Sequence, residues 1–473
     1  MTVTGVVIIA LAVMIVLLVS KTPVALALGI TGVLGLTLLK GFGHATNVLG
    51  STPFSQVSSF TLTIVPMFIL MGMFAVRAKI AEQVFAIANR FVAKAPGGLG
   101  VATIMACAGF SAVSGSSIGT AATMSKLSVA EMRANGYPAS LATALVAVAG
   151  TLGAMIPPST FLVLYAIMAN VSVSQMLAAG IVPGVLSALA YIAYIMLFGH
   201  RKIGKSTDKD DLQTVVGQAY DKAVIAAQGT GTATLRRAPA DAQPGPRTSP
   251  GSLPWRGLVR VIILFAIVLG GMYSGIFTST ESAAIGALAA LAMLILENRR
   301  QGPRVILRLF KEALQDTGST TAMVFMIIVG SALLSAFFIA AKVPDAITSA
   351  VADIGLPAKL TMALLLLCLI PLGMVLESLS ILVISVPILL PIALEFGFDP
   401  IWLGIIIVKL IEIGMVTPPV GINCFVVAGS TGVRTETVFK GLLPFFTVDV
   451  LITTLLFLVP ALTLFLPSLV KNG

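Results

Sequence analysis

Charge is scarce in this sequence. Asp, Glu, Lys and Arg make up 10% of its 473 residues, where a soluble globular domain carries about 25%. So few charges cannot clothe one or two soluble domains, which excludes an ordinary soluble enzyme. Histidine is almost missing as well. Only His44 and His200 are present, both beside expected loops, and two supply neither a metal centre nor a His-based catalytic site. The three cysteines, Cys107, Cys368 and Cys424, all lie in apolar runs. They read as small buried hydrophobes rather than a disulfide framework or a metal cluster. What is plentiful is apolar surface: 57% of residues are hydrophobic and the mean hydropathy is +1.04. The 29 Lys and Arg against 19 Asp and Glu leave a net charge of +10. A nucleic-acid binder clusters such charge over a polar surface, whereas here the basic residues are scattered between long apolar runs, so no nucleic-acid partner is expected.

A helix that spans a bilayer needs roughly 20 mostly apolar residues, since the hydrocarbon core is about 30 Å thick. Candidate runs lie at 3–19, 24–39, 60–76, 98–111, 141–165, 176–198, 258–275, 282–296, 321–341, 360–376, 379–393, 401–427 and 442–470. The first lacks the basic start and small-residue cleavage site of a secretory signal, so it is expected to be a mature helix. Together the runs exceed any single hydrophobic core and predict an all-α polytopic membrane protein in a lipid bilayer. Residues 200–254 differ: the stretch APADAQPGPRTSPGSLP cannot hold a regular helix, and the segment reads as a flexible aqueous linker. It divides the chain into 1–199 and 255–473.

The two parts match each other at a fixed offset. Gly153-Ala154-Met155-Ile156-Pro157-Pro158 and Gly414-Met415-Val416-Thr417-Pro418-Pro419 are 414 − 153 = 261 residues apart. The same shift carries Pro183 to Pro444, Pro96 to Pro357, Cys107 to Cys368, and Gly136-Tyr137 to Gly397-Phe398. Several prolines and glycines in one ungapped frame point to an internal duplication. Five crossings and one re-entrant hairpin per repeat make an odd number, so the two repeats are expected to be inverted. With the N-terminus outside, the inner segments hold Lys21, six basic residues from Arg77 to Arg133, ten from Arg201 to Arg260, five from Arg299 to Lys311, Arg434 and Lys440. Outside remain Lys40, Lys342, Lys359 and Lys471, with Lys409 inside a span. That bias is the one expected of cytoplasmic loops, and it places the linker inside and both termini in the periplasm.

Two constellations interrupt the helices at membrane depth. Proline lacks an N–H, so Pro157 and Pro158 are expected to free the carbonyls of Gly153 and Ala154, and Pro418 and Pro419 those of Gly414 and Met415. A bare carbonyl in hydrocarbon must meet protein, water or a ligand, and Na⁺ suits such oxygens beside Ser or Thr hydroxyls. One proline would be a plain kink; symmetric Pro-Pro breaks with flanking Gly point to a transport site. The broken helices are expected at about 140–170 and 401–430. The second constellation is Phe110-Ser111-Ala112-Val113-Ser114-Gly115-Ser116-Ser117-Ile118-Gly119-Thr120, which divides an apolar run into pieces too short to span. It reads as the tip of a re-entrant hairpin at about 97–131, although small residues are also ordinary helix packing. Its counterpart, containing Glu377-Ser378, is the tip of a hairpin at about 358–396.

Ionisable groups at membrane depth are expensive and usually face a functional interior. Glu377, at the second tip, is placed to meet substrate, cation or a proton. Lys409 and Glu412 are three residues apart and are expected to pair on one helix face. Residues 78–94 set Ile80, Val84, Ile87 and Phe91 on one face with Arg77, Lys79, Arg90 and Lys94 around it, the pattern of a helix lying along the interface. Such a helix is either an arm linking a mobile part to a fixed one or a plain surface helix.

The motifs GSSIGTAATMSKLSVAEMRANGY, GTLGAMIPPSTFLVLYAIMANVSV and GMVTPPVGINCFVVAGSTG resemble the large membrane subunit of tripartite ATP-independent periplasmic (TRAP) transporters, the DctM-like family. The resemblance runs from about residue 3 to 466, linker excepted. It implies an elevator-type secondary transporter driven by Na⁺ in a bacterial inner membrane. It also implies a small DctQ-like membrane subunit and a DctP-like periplasmic protein that delivers the substrate, a small organic acid. By resemblance the Na⁺ sites fall on the first hairpin tip (Ser111, Ser114, Ser116) with Gly153, Ile156 and Pro158, and on the second hairpin with Gly414, Thr417 and Pro419. The expected substrate-facing set is Ser116, Ser117, Ser159, Glu377, Ser378 and Asn423. Glu377 stands where an Asp is frequent in the family, and the long linker is unusual. The rival readings are a passive channel, a related carboxylate transporter working without a binding protein, and an intramembrane enzyme. The last would need a nucleophile with a His or paired carboxylates at membrane depth, and none is evident in the sequence.

Overall fold

The computed structural model describes residues 2–20, 22–92, 95–203, 255–343, 345–346, 349, 356–374 and 376–470. The expected linker after residue 203 lies outside the described residues, as do Lys21, Lys94 and Lys471 of the charge count. Among the described residues there is no strand. Six helices among these residues are long and apolar enough to cross a bilayer: Phe60–Arg77, Val173–Arg201, Ser279–Gln301, Pro303–Ala340, Ser378–Glu395 and Thr435–Leu458. A seventh candidate is the pair Ala139–Met155 and Thr160–Met168, bent by 41° at its break. Side chains such as Ile8, Val16, Leu288 and Leu451 stand exposed on helix surfaces, where lipid makes them stable. The molecule is an all-helical, multi-pass membrane protein.

Three elements differ from the sequence reading. Residues Phe42–Val57 form a helix that was not expected, with Pro53 inside it. The apolar run at 321–341 is only the second half of Pro303–Ala340, a helix of 38 residues. At 1.5 Å per residue that is about 57 Å, well beyond the hydrocarbon core. Its polar first half emerges from the bilayer, where Asp316 Oδ2 accepts from Arg77 Nη2 at 2.5 Å. The run at 442–470 is divided near Pro460 into Thr435–Leu458 and Ala461–Leu469.

The long helix lies against Val24–Lys40 so closely that the two backbones touch at Gly32. A methyl group on Gly32 would sit 2.5 Å from the carbonyl carbon of Leu333. Small residues allow this approach, and in lipid such packing supplies much of the helix–helix attraction.

The remaining helices carry the interruptions. A first hairpin pairs Gly98–Ser114 with Ser117–Met124, and a second pairs Ala358–Gly373 with Ser378–Glu395. Each is followed by a broken helix: Ala139–Met155 with Thr160–Met168, then Pro400–Val416 with Ile422–Thr431. Each broken helix leads into a long helix, Val173–Leu197 and Thr435–Leu458. Element boundaries keep the 261-residue offset: Ser117 with Ser378, Ala139 with Pro400, Met155 with Val416, Leu197 with Leu458. The bonds Pro157–Pro158 and Pro418–Pro419 are both cis.

The expected interfacial helix spans Ile80–Val92 and buries Ile80, Val84 and Ile87. Phe91 is instead exposed on that helix and meets the Trp255 ring edge-on at 5.6 Å. Asn89 Nδ2 donates to Glu131 Oε1 at 2.9 Å, tying this helix to the base of the first hairpin.

Candidate functional site

The first break is closed by its own side chains. Ser159 accepts from the Leu162 amide and so caps the helix that restarts at Thr160. Its hydroxyl donates to the Ala154 carbonyl at 2.5 Å. Ala154 is therefore not bare, contrary to the expectation drawn from Pro158. The Gly153 carbonyl still lacks its usual helical donor, because that position is Pro157.

The first hairpin tip is wedged against this break. Gly115 has φ +58°, in the left-handed region, and a Cβ there would sit 2.6 Å from the Pro158 carbonyl oxygen. The Gly115 carbonyl accepts from both the amide and the hydroxyl of Thr160, at 3.4 and 2.9 Å. Ser116 caps Ser117–Met124 through a bond from the Gly119 amide. Its carbonyl passes Gly153 so closely that a methyl group there would lie 2.5 Å from the oxygen. Ser114 and Thr120 share a hydroxyl–hydroxyl bond of 2.8 Å. The Ser111 hydroxyl is buried with no partner among the described residues. Hydroxyl and carbonyl oxygens with no acidic ligand suit a hard monovalent cation. Ile156, Pro157 and Pro158 complete the break, with Pro157 and Pro158 buried.

The second site is built differently. Gly414 meets Gly373 of the second hairpin back to back: a Cβ on Gly414 would lie 2.6 Å from Gly373 Cα and 2.9 Å from the Ile370 carbonyl oxygen. Pro418 does not leave the Gly414 carbonyl bare, since the Thr417 amide donates to it at 3.0 Å. This corrects the sequence expectation, and the physical reason is a tightened last turn, common at helix ends. The carbonyl keeps its second lone pair. The Thr417 hydroxyl turns back to the Ile413 carbonyl at 2.5 Å. Ser378 meets the Met415 thioether, and Glu377 is half-buried at the tip without capping its helix. Pro418 and Pro419 are exposed. Asn423 is fully buried, yet among the described residues neither its oxygen nor its nitrogen has a partner.

The charge pairing is also corrected. Lys409 does not bond Glu412 but pairs with buried Asp449, which also accepts from the Tyr191 hydroxyl at 2.6 Å. Glu412 Oε1 accepts from the Ser117 hydroxyl at 3.2 Å, so that hydroxyl is committed within the protein. Asp449 was missed by the sequence reading; its signal is a lone acid in the apolar run TVDVLITTLLFL. Spacing alone brought Lys409 and Glu412 together, whereas a neighbouring helix supplied the better partner.

The family described as the tripartite ATP-independent periplasmic transporter, DctM component, matches residues 11–462. The chain is 31% identical to the C4-dicarboxylate TRAP transporter large permease protein DctM of Pseudomonas aeruginosa, over 93% of this chain and 94% of that protein. It is 28% identical to the sialic acid TRAP transporter large permease protein SiaM of Vibrio cholerae, over 87% of each. The isethionate TRAP transporter permease protein DctMQ of Oleidesulfovibrio alaskensis is 29% identical, over 95% of this chain and 64% of that longer protein. Among solved structures, the Alcanivorax borkumensis YdaH transporter shares the fold, with a TM-score of 0.59 and 11% identity over 89% of each chain. With its broken helices, its hairpins and a match over nearly its whole length, this chain belongs to the DctM family, the large permease component of TRAP transporters.

Proposed function

We propose that the chain is the large membrane subunit of a Na⁺-coupled importer that carries a small organic acid across a bacterial inner membrane. The supporting observation is a pair of glycine-tight meetings between hairpin and broken helix, Ser116 with Gly153 and Gly373 with Gly414. The 261-residue offset between Gly153 and Gly414 supports two inverted repeats, each with one re-entrant hairpin, and a body of hairpins and broken helices that moves as an elevator against the outer helices. The basic-residue bias supports a cytoplasmic linker and periplasmic termini. Relatives named for C4-dicarboxylates, sialic acid and isethionate all handle organic anions, which supports that substrate class. The DctMQ relative supports a small DctQ-like subunit as partner, and membership of the tripartite periplasmic transporter family supports a periplasmic binding protein.

In this reading Ser111, Ser114 and Ser116 with Gly153, Ile156 and Pro158 surround one Na⁺, and Gly414, Thr417 and Pro419 the other. Ordering either tip fixes the hydroxyls and backbone N–H groups that receive the carboxylate. That both amide atoms of buried Asn423 have no partner among the described residues supports a direct bond from it to the substrate, with Glu377 and Ser378 as further members of the substrate-facing set. The test is uptake into proteoliposomes containing this chain and its small subunit, with a substrate-loaded binding protein outside. An inward Na⁺ gradient should drive accumulation. Uptake that merely follows the substrate gradient would leave the passive channel as the answer, and uptake without the binding protein would leave the related carboxylate transporter.

A further inference from the structure

Glu412 is out of place for a residue that only fills space. It is buried, and among the described residues it forms no ion pair and one of its oxygens has no hydrogen-bond partner. Lys409, the nearest candidate by spacing, is held by Asp449 on Thr435–Leu458, and Tyr191 of Val173–Leu197 binds the same carboxylate oxygen. A half-satisfied carboxylate at membrane depth is costly, and an apolar side chain would pack there more cheaply.

Its position explains what it can do. Glu412 is two residues before Gly414 on one rigid helix, so any movement of the second break carries its carboxylate along. That carboxylate holds the hydroxyl of Ser117, the first residue after the first hairpin tip. Ser117 is bonded directly to Ser116, whose carbonyl is wedged against Gly153 at the first break. A continuous path of backbone and one buried hydrogen bond thus runs from Gly414 to Gly153. The Lys409–Asp449–Tyr191 cluster braces it from behind, one helical turn earlier.

We propose that Glu412 is a positioning residue that couples the two broken-helix sites, holding the first hairpin tip from the second broken helix so that ordering one site favours order at the other. This rests on the reading of both sites as Na⁺ sites. Proximity alone does not establish coupling, so the test is a double-mutant cycle read in Na⁺ dependence. Uptake by the reconstituted complex is titrated with Na⁺ for the wild type, Glu412→Ala, Glu412→Gln, Ser117→Ala and the Ser117→Ala/Glu412→Ala double variant. The wild type should respond sigmoidally. Glu412→Ala and Ser117→Ala should bring the Hill slope toward one and raise the half-saturating Na⁺ about five-fold or more, the usual size of a coupling between sites. The double variant should be no worse than Glu412→Ala, and Glu412→Gln, which keeps an acceptor oxygen, should recover most of the slope. A purely structural role would lower the yield or the maximal rate and leave the slope alone. An unchanged slope in Ser117→Ala, multiplying effects in the double variant, or a non-sigmoidal wild type would each overturn the coupling. Should Glu412→Ala fail to fold, Ser117→Ala decides, since it removes a single oxygen. Wild-type uptake that ignores Na⁺ would defeat the proposed function itself, an outcome distinct from Na⁺-driven uptake without cooperativity.

Discussion

Replacing Asn423 by leucine should make the protein more stable and unable to transport. Asn423 is fully buried in the helix that restarts after the second break, and both ends of its amide lack a partner among the described residues. A buried donor or acceptor left unsatisfied costs about 1–3 kcal/mol, and here there are two. The reference state inside lipid or detergent finds partners of its own, which trims the difference. A net gain of about 2 kcal/mol for Asn423→Leu follows, roughly a 30-fold shift toward the folded state. Leucine is close to asparagine in shape, so little cavity or overpacking cost offsets the gain. Asn423→Ala should gain less, because it removes volume as well as polarity. Thermal unfolding in detergent without substrate measures the first effect, and proteoliposome uptake measures the second. A variant that melts earlier than the wild type would mean that the amide is satisfied after all. A variant that melts later but transports normally would mean that Asn423 does not meet the substrate.

Gly153→Ala pushes a methyl group to 2.5 Å from the Ser116 carbonyl oxygen, backbone against backbone. Such overpacking costs about 1–3 kcal/mol, so the half-saturating Na⁺ for uptake should rise about 5- to 150-fold. Gly429→Ala, with nothing within 4 Å of the added methyl, should leave the same titration unchanged. Lys409→Met leaves Asp449 buried without its cation and should destabilise by about 3–5 kcal/mol in a melting experiment, and Lys409→Met/Asp449→Leu should recover most of that. If the double variant melts no higher than the single one, the pair is not what holds these helices. Arg77→Ala should shift the melting curve little, under about 1 kcal/mol, because Asp316 and Glu312 are largely exposed.

What could be read from the sequence was whatever chain order encodes locally. Pro157, Pro158, Pro418 and Pro419 break helices through their own missing N–H groups, and Gly115 turns in the left-handed region that glycine favours, so each announces itself without tertiary information. The offset survives for the same reason: it is a statement about positions along one chain. The helix Phe42–Val57 went unseen because its Gly, Ser, Thr and Pro residues are poor helix formers, and contact with Pro303–Ala340 holds it instead. The partners of Lys409 and Glu412 were misjudged because spacing describes one helix surface, whereas Asp449 and Ser117 arrive on other helices. The carbonyls of Ala154 and Gly414 followed the proline rule up to the point where Ser159 and Thr417 supplied substitute donors. A missing N–H is visible in a sequence; the side chain that compensates for it depends on how the chain turns next.

The offset also makes the difference between the two breaks informative. Both have the same prolines, the same glycine four residues earlier and the same cis bond. Yet Pro157 and Pro158 are buried and Pro418 and Pro419 are exposed. At the first break three hydroxyl-bearing residues close the gap: Ser159 takes the Ala154 carbonyl, Thr160 takes Gly115, and Ser116 lies on Gly153. At the second, the equivalent of Ser159 is Val420, which has no hydroxyl to donate, and the tip residue Glu377 leaves its helix uncapped. The tight contact there falls deeper, between Gly373 and Gly414. One hairpin is thus fastened to its break by several side-chain hydrogen bonds, while the other is held where two glycine backbones meet and by the contact of Ser378 with the Met415 thioether. The fastened tip has few ways to move without losing several buried hydrogen bonds at once, and the other has fewer bonds to lose. A duplicated sequence has in this way produced one tight junction and one loose one. In a transporter, a ligand that supplies the missing bonds at the loose junction has the larger effect on order, so the second hairpin is where binding energy is best converted into a change of shape.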